Sequence, residues 1–148
     1  MNKLLITDID YKGKKVLMRA DFNVPLDKNQ NISNDRRIVA ALPTIKKIIA
    51  DGGRVVLCSH LGRPKGKIVP EMSLKPVSIR LSELLGQEVK IAPDCIGEKS
   101  LKMSQSLMDG EVLLLENLRY HKEETDNDPS FAEQLAKHGE LYVNDAFG

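Results

Sequence analysis

The chain has 148 residues, 41% hydrophobic and 29% charged, with a net charge of +1. This suits one soluble globular domain with a real core and excludes polyanion binding driven by a general basic field. Three Phe and three Tyr are too few for a base-stacking platform, and no apolar run reaches the ~20 residues that span a bilayer.

The first eight residues lack the apolar stretch and cleavage site of a secretory signal. Lys15 to Ala20 reads as a first strand. Helical spacing follows at Ile38, Leu42, Ile45 and Ile49, with Ser33 or Asn34 as the N-cap and Gly52-Gly53 as the stop. Pro43 falls inside this helix and is expected to kink or restart it. Arg54 to Cys58 is a second strand. Ser73 caps a helix with apolar positions Val77, Leu81, Leu84 and Leu85, closed by Gly86.

Glu88 to Ile91 is a short third strand, Ile96 to Leu107 a further helix, and Glu111 to Leu115 a strongly apolar fourth strand. The charged stretch from His121 to Asn127 reads as an exposed loop. Asp128-Pro129 opens a last helix as N-cap and first helical residue, and Gly139 ends it. Glu140 to Asn144 is the fifth strand. Five strands alternating with four helices predict an α/β fold: a Rossmann-like, three-layer α/β/α sandwich around a parallel sheet. The chain stops at Gly148, just past a strand, and reads as cut rather than finished.

Cys58 and Cys95 form no CxxC and have no flanking histidine or carboxylate pattern of a metal site. They read as reduced structural thiols, so a cytoplasmic location and no bound metal are expected.

The chemistry-bearing residues gather after strands. Asp21 and Asn23 follow the first, His60 and Arg63 the second, Asn117 and Arg119 the fourth, Asn144 and Asp145 the fifth. In a parallel sheet these positions share the carboxyl edge, where open α/β sheets bind ligands. Arg37, near the start of the first helix, belongs on the same side. Each residue alone could be a surface charge or a turn residue. Their recurrence at four strand ends points to an anion site. The run from Gly62 to Ile68 imitates a Walker A loop, but has three residues between its glycines instead of four and no Ser/Thr after Lys67. Neither common nucleotide motif is present.

Five segments carry a resemblance: Arg19 to Leu26, Asp35 to Ile38, Ser59 to Gly66, Leu114 to Arg119, and Val143 to Gly148. Together they resemble the N-terminal, substrate-binding domain of the phosphoglycerate kinase family. The resemblance implies an incomplete domain over residues 1–148, with five of the family's six strands and no C-terminal nucleotide domain. It implies a glycolytic parent enzyme that transfers a phosphoryl group reversibly between 1,3-bisphosphoglycerate and ADP, giving 3-phosphoglycerate and ATP. In that family Asp21 and Asn23 would bind the glycerate, and His60, Arg63 and Arg119 the non-transferred 3-phosphate. Arg37 would stand by the reacting carboxyl and is the catalytic candidate. A guanidinium there stabilises charge on the transferring phosphoryl group, worth ~10³ or more in rate.

Mg-ADP or Mg-ATP would serve the full-length parent, with none bound by this chain. No nucleic acid and no membrane partner is expected. The parent would be a monomer, while this chain, inactive alone, could self-associate through an exposed sheet edge. The alternative is a non-catalytic α/β anion-binding or self-associating module, whose arginines would point apart or pair with acids.

Overall fold

The computed structural model describes residues 10–126 and 128–145. Its strands are β1 (Lys15–Arg19), β2 (Arg54–Cys58), β3 (Val89–Ile91), β4 (Val112–Leu114) and β5 (Leu141–Asn144). They form one parallel sheet in the order β3-β4-β2-β1-β5. The helices are α1 (Arg36–Ala50), α2 (Lys75–Leu85), α3 (Glu98–Gln105), α4 (Lys122–Thr125) and α5 (Pro129–Ala136). Every strand and helix anticipated from the sequence is present, shifted by a residue or two at its ends.

Two layers of side chains leave the sheet because successive strand residues point to opposite faces. Val16, Met18, Val55, Leu57, Val112 and Leu114 pack on one face with Ile38, Ile45 and Ile48 of α1 and Val77 and Leu81 of α2. Leu17, Val56, Cys58 and Leu113 pack on the other, against Cys95, Leu118 and Phe131. Ile45, Leu57, Leu81 and Leu114 are fully buried, each worth about 1.5–3 kcal/mol of transfer free energy. The result is the anticipated sandwich, with α1 and α2 on one side and α5 on the other.

Three local readings need correction. Helix α1 runs unbroken through Pro43. Pro43 is exposed, and its missing N–H would have bonded the carbonyl of Val39, also an exposed residue, so the loss of that bond is tolerated on the solvent side of the helix. The α1 N-cap is Asp35, without a side-chain cap bond; Asn34 Oδ1 instead accepts from the Arg36 amide at 2.9 Å. Third, the segment after His121 is not a plain exposed loop. It contains α4, and the Glu124 side chain there is only 11% exposed. By contrast Asp128 caps α5 as read, accepting from the Ser130 and Phe131 amides.

The sheet order decides where the site can form. β1 lies between β2 and β5, with Arg19 opposite Cys58 and Asn144. β2 lies between β1 and β4, with Leu57 opposite Leu114. The loops leaving β4, β2, β1 and β5 therefore stand side by side at the carboxyl edge.

Candidate functional site

Three short polar side chains lace the loops after β1, β2 and β4 together. Ser59 Oγ accepts from the Phe22 amide at 2.9 Å, and the Ser59 carbonyl from the Leu118 amide at 3.0 Å. Asn23 Oδ1 accepts from the Gly62 amide at 2.9 Å. Asn117, fully buried, accepts from the amides of Leu61 and Arg119 and donates to the carbonyls of Leu61 and Met72. Buried amides of loop backbone must find partners, and here the partners come from neighbouring loops. Gly66 shows how tight the fit is. Its φ is +78°, and an added Cβ would lie 2.9 Å from Lys122 Cβ.

The six predicted site residues fall on this platform. Asp21 Oδ1 accepts from the Asn23 amide at 3.1 Å, an Asx-turn that fixes the start of the β1 loop. Arg37 Nη1 donates to the Asn23 carbonyl at 2.6 Å and stands 3.5 Å from Asp21 Oδ1. Its side chain remains 53% exposed. Asp21, Asn23 and Arg37 are thus one contact group, tied to the β2 loop through Gly62.

His60 lies half-buried, within the fields of Arg119, Arg19, Asp21 and Glu124. Burial first, then the two guanidinium charges, hold its imidazole below the ordinary histidine range. Arg63 is exposed on the same loop and makes no ion pair among the described residues. Arg119 lies in the loop after β4. Its Nε is 3.7 Å from Glu124 Oε2 and is buried without a hydrogen bond. A hollow of about 440 Å³ is walled by Asn23, Val24, Pro25, Asn34, Arg36 and Arg37. A larger groove, about 1340 Å³, adjoins it at Asn34 and is lined by none of the six.

Asn144 and Asp145 were the other strand-end candidates. Asp145 accepts a long bond, 3.5 Å, from Thr44 Oγ1, and burial raises its carboxyl above the usual range. Its amide donates to the Arg19 carbonyl at 2.7 Å, a structural use. Asn117 is likewise structural. Two charged residues near the site were not among the predicted site residues. Arg19, the last residue of β1, donates from Nη2 to Glu124 Oε1 at 2.9 Å. A cation ending an apolar strand run, two residues before Asp21, was the available signal. Glu124 carried none.

On the other side, the fold gathers a group the sequence kept apart. Donor atoms of Asp94, Cys95 and His121 lie within 4.8 Å of one another. His121 Nε2 is already 2.6 Å from Asp94 Oδ1, and its ring packs on Phe131 with centroids 5.4 Å apart. The pair acts as a clasp between the loop after β3 and the loop after β4.

The family model described as phosphoglycerate kinase matches residues 6–148. The chain belongs to the phosphoglycerate kinase family. It is 62% identical over all 148 residues to the phosphoglycerate kinase of Chlorobium phaeobacteroides (strain BS1), and 58% identical to that of Prosthecochloris aestuarii. In both comparisons the whole chain is matched to 37% of the relative. The chain therefore spans little more than a third of these family members. Among solved structures, the phosphoglycerate kinase of Coxiella burnetii superposes with a TM-score of 0.83 at 39% identity, covering 95% of this chain and 34% of that one. The enzyme from Pyrococcus horikoshii gives the same TM-score at 34% identity, over 95% and 36% of the two chains. The family agrees with the five segments read from the sequence, of which positions 146–148 lie outside the described residues.

Proposed function

We propose that this chain supplies the phosphoglycerate half-site of a phosphoglycerate kinase, the enzyme that moves a phosphoryl group between 1,3-bisphosphoglycerate and ADP. The observation that carries the reading is the lacing of the loops after β1, β2 and β4, which holds Asp21, Asn23, Arg37, His60 and Arg119 along one edge. Arg63 and Arg119, with the His60 imidazole, offer N–H donors to the 3-phosphate, the geometry in which guanidinium groups suit phosphate oxygens. Asp21 and Asn23 take the glycerate hydroxyl and carboxyl end. Arg37, held by the Asn23 carbonyl with most of its surface open, faces the carboxyl that gives or takes the phosphoryl group. Neither nucleophile of this reaction, a carboxylate or a diphosphate oxygen, needs a base. The chain's work is positioning and charge neutralisation.

The Mg-nucleotide of that reaction finds no fitting cradle among the described residues. The amides of Gly66 and Lys67, where a phosphate-binding loop would point its donors, are spent on the carbonyls of Arg119 and Pro64. We assign the nucleotide to the remaining two thirds of such an enzyme, and expect no ATP turnover from this chain alone. The free thiols of Cys58 and Cys95, both buried, agree with a reducing, cytoplasmic setting.

The competing reading, a non-catalytic module, expected its arginines to pair with acids. Two of them do lie within 4 Å of a carboxylate, Arg37 at 3.5 Å and Arg119 at 3.7 Å. Neither contact is a close hydrogen-bonded pair, however, and Arg63 has no acid among the described residues. The exposed Arg37–Asp21 contact holds its arginine weakly, at about 0–1 kcal/mol, and yields to a phosphate dianion.

Calorimetric titration with 3-phosphoglycerate tests the proposal. Binding at millimolar ligand or better is expected, weakened at least about tenfold by Arg63→Ala, in line with loss of a charge-assisted contact. No heat at millimolar ligand, or equal binding by the variant, would overturn it.

A further inference from the structure

The residue that asks for an explanation is Glu124. Its carboxylate is nearly buried and lies between two guanidinium groups, yet it treats them differently. Oε1 accepts a 2.9 Å hydrogen bond from Arg19, whereas Oε2 stays 3.7 Å from Arg119 Nε, which has no hydrogen bond at all. No hydrogen bond from the outer nitrogens of Arg119 to a described residue is present either. A carboxylate this desolvated must have a cationic partner. With Arg119 this close, the choice of Arg19 is what leaves Arg119 uncommitted.

We propose that Arg19 is a positioning residue of the anion site: by holding the Glu124 carboxylate, it keeps that acid from quenching Arg119. The inference rests on the reading of Arg119 as a phosphate contact. Arg19 is well placed for the task. It ends a strand flanked on both sides, opposite Cys58 and Asn144, and its carbonyl is pinned by the Asp145 amide at 2.7 Å. The Arg19–Glu124 pair is neutral as a unit. An incoming phosphate then meets neither a carboxylate hydrogen-bonded to the Arg119 guanidinium nor an unpaired negative charge. Without Arg19, the nearest cation left to Glu124 is Arg119, and a ligand must displace an internal carboxylate before binding.

A cycle of variants of this chain, titrated with 3-phosphoglycerate, tests the idea. Arg19→Met is expected to weaken binding about tenfold, within the range measured for close charge pairs. Glu124→Gln is expected to tighten it about twofold to threefold, because a negative charge near the phosphate is removed. The double variant is expected within about threefold of the parent chain, since the pair leaves as a neutral unit. A double variant as weak as Arg19→Met would overturn the proposal, because Arg19 would then be a direct ligand or a purely structural support. Unchanged binding by Arg19→Met would overturn it too. Should that variant not fold, Glu124→Gln carries the test, and weakened binding there refutes the inference. If the parent chain itself binds no 3-phosphoglycerate, the site reading fails separately. The pair is then read by NMR from the Arg119 Nε–H resonance. Arg19→Met should shift it into a charge-assisted hydrogen bond with Glu124, and an unmoved resonance would refute the idea.

Discussion

At the scale of single residues, Asn117 separates structural from functional polarity. The sequence placed it beside Arg119 after β4, as one more polar group at a strand end. It is fully buried and bonds four backbone groups, the amides of Leu61 and Arg119 and the carbonyls of Leu61 and Met72. Asn117→Ala would leave all four without that partner. Unsatisfied buried groups cost about 1–3 kcal/mol each, and partial relaxation and water entry reduce the sum. A loss of about 3 kcal/mol is expected in urea-induced unfolding. A loss below about 1 kcal/mol would mean that the loops hold together without it. Its neighbour Arg119 could be told from it in advance only by residue type. A guanidinium resists full burial, whereas an amide can saturate itself inside a protein.

At the scale of elements, periodicity and punctuation revealed most of the architecture, because they are local. The Asp128-Pro129 start of α5 and the apolar runs of β2 and β4 needed no tertiary information. What periodicity could not reveal is proximity between distant segments. Arg19 and Glu124 are 105 residues apart in sequence and hydrogen-bonded in space, and α4 is too short to write a helical pattern. Asp94 and His121 failed for the same reason. Gly139 illustrates the limit from the other side. It was read as a helix stop, yet the fold uses it for close approach. An added Cβ would lie 2.5 Å from the Leu17 amide nitrogen and 2.9 Å from Leu17 Cβ. Gly139→Ala must push β1 and the entry to β5 apart, an overpacking cost of about 1–3 kcal/mol. Thermal unfolding should show it, and a variant as stable as the parent would mean that this junction is slack.

At the scale of the whole molecule, stability should be greatest in a middle range of pH, because buried imidazoles and thiols prefer their neutral forms. His138 is almost wholly buried, with Nε2 on the Cys95 carbonyl and Nδ1 on Ser104 Oγ, each at 2.9 Å. A carbonyl only accepts, so Nε2 carries the hydrogen. Burial lowers the pKa of His138, and burial with nearby arginines lowers that of His60. In the unfolded chain both titrate near 6.5, so below that pH the unfolded state binds more protons than the folded one. Stability from these two groups is therefore present above about pH 6.5 and lost as pH falls toward their folded values. The thiols act in the opposite sense. Burial pushes Cys58 up to about 12 and raises Cys95 as well, so their contribution is present below about pH 8.5 and declines as pH rises past it. Urea unfolding from pH 5.5 to 10 should give a plateau between about 6.5 and 8.5 with falling limbs on either side. His138→Gln should flatten the acid limb and Cys58→Ala the alkaline one. Stability level from pH 7 to 5.5 in the parent chain would show that the buried imidazoles accept their protons without cost to the fold.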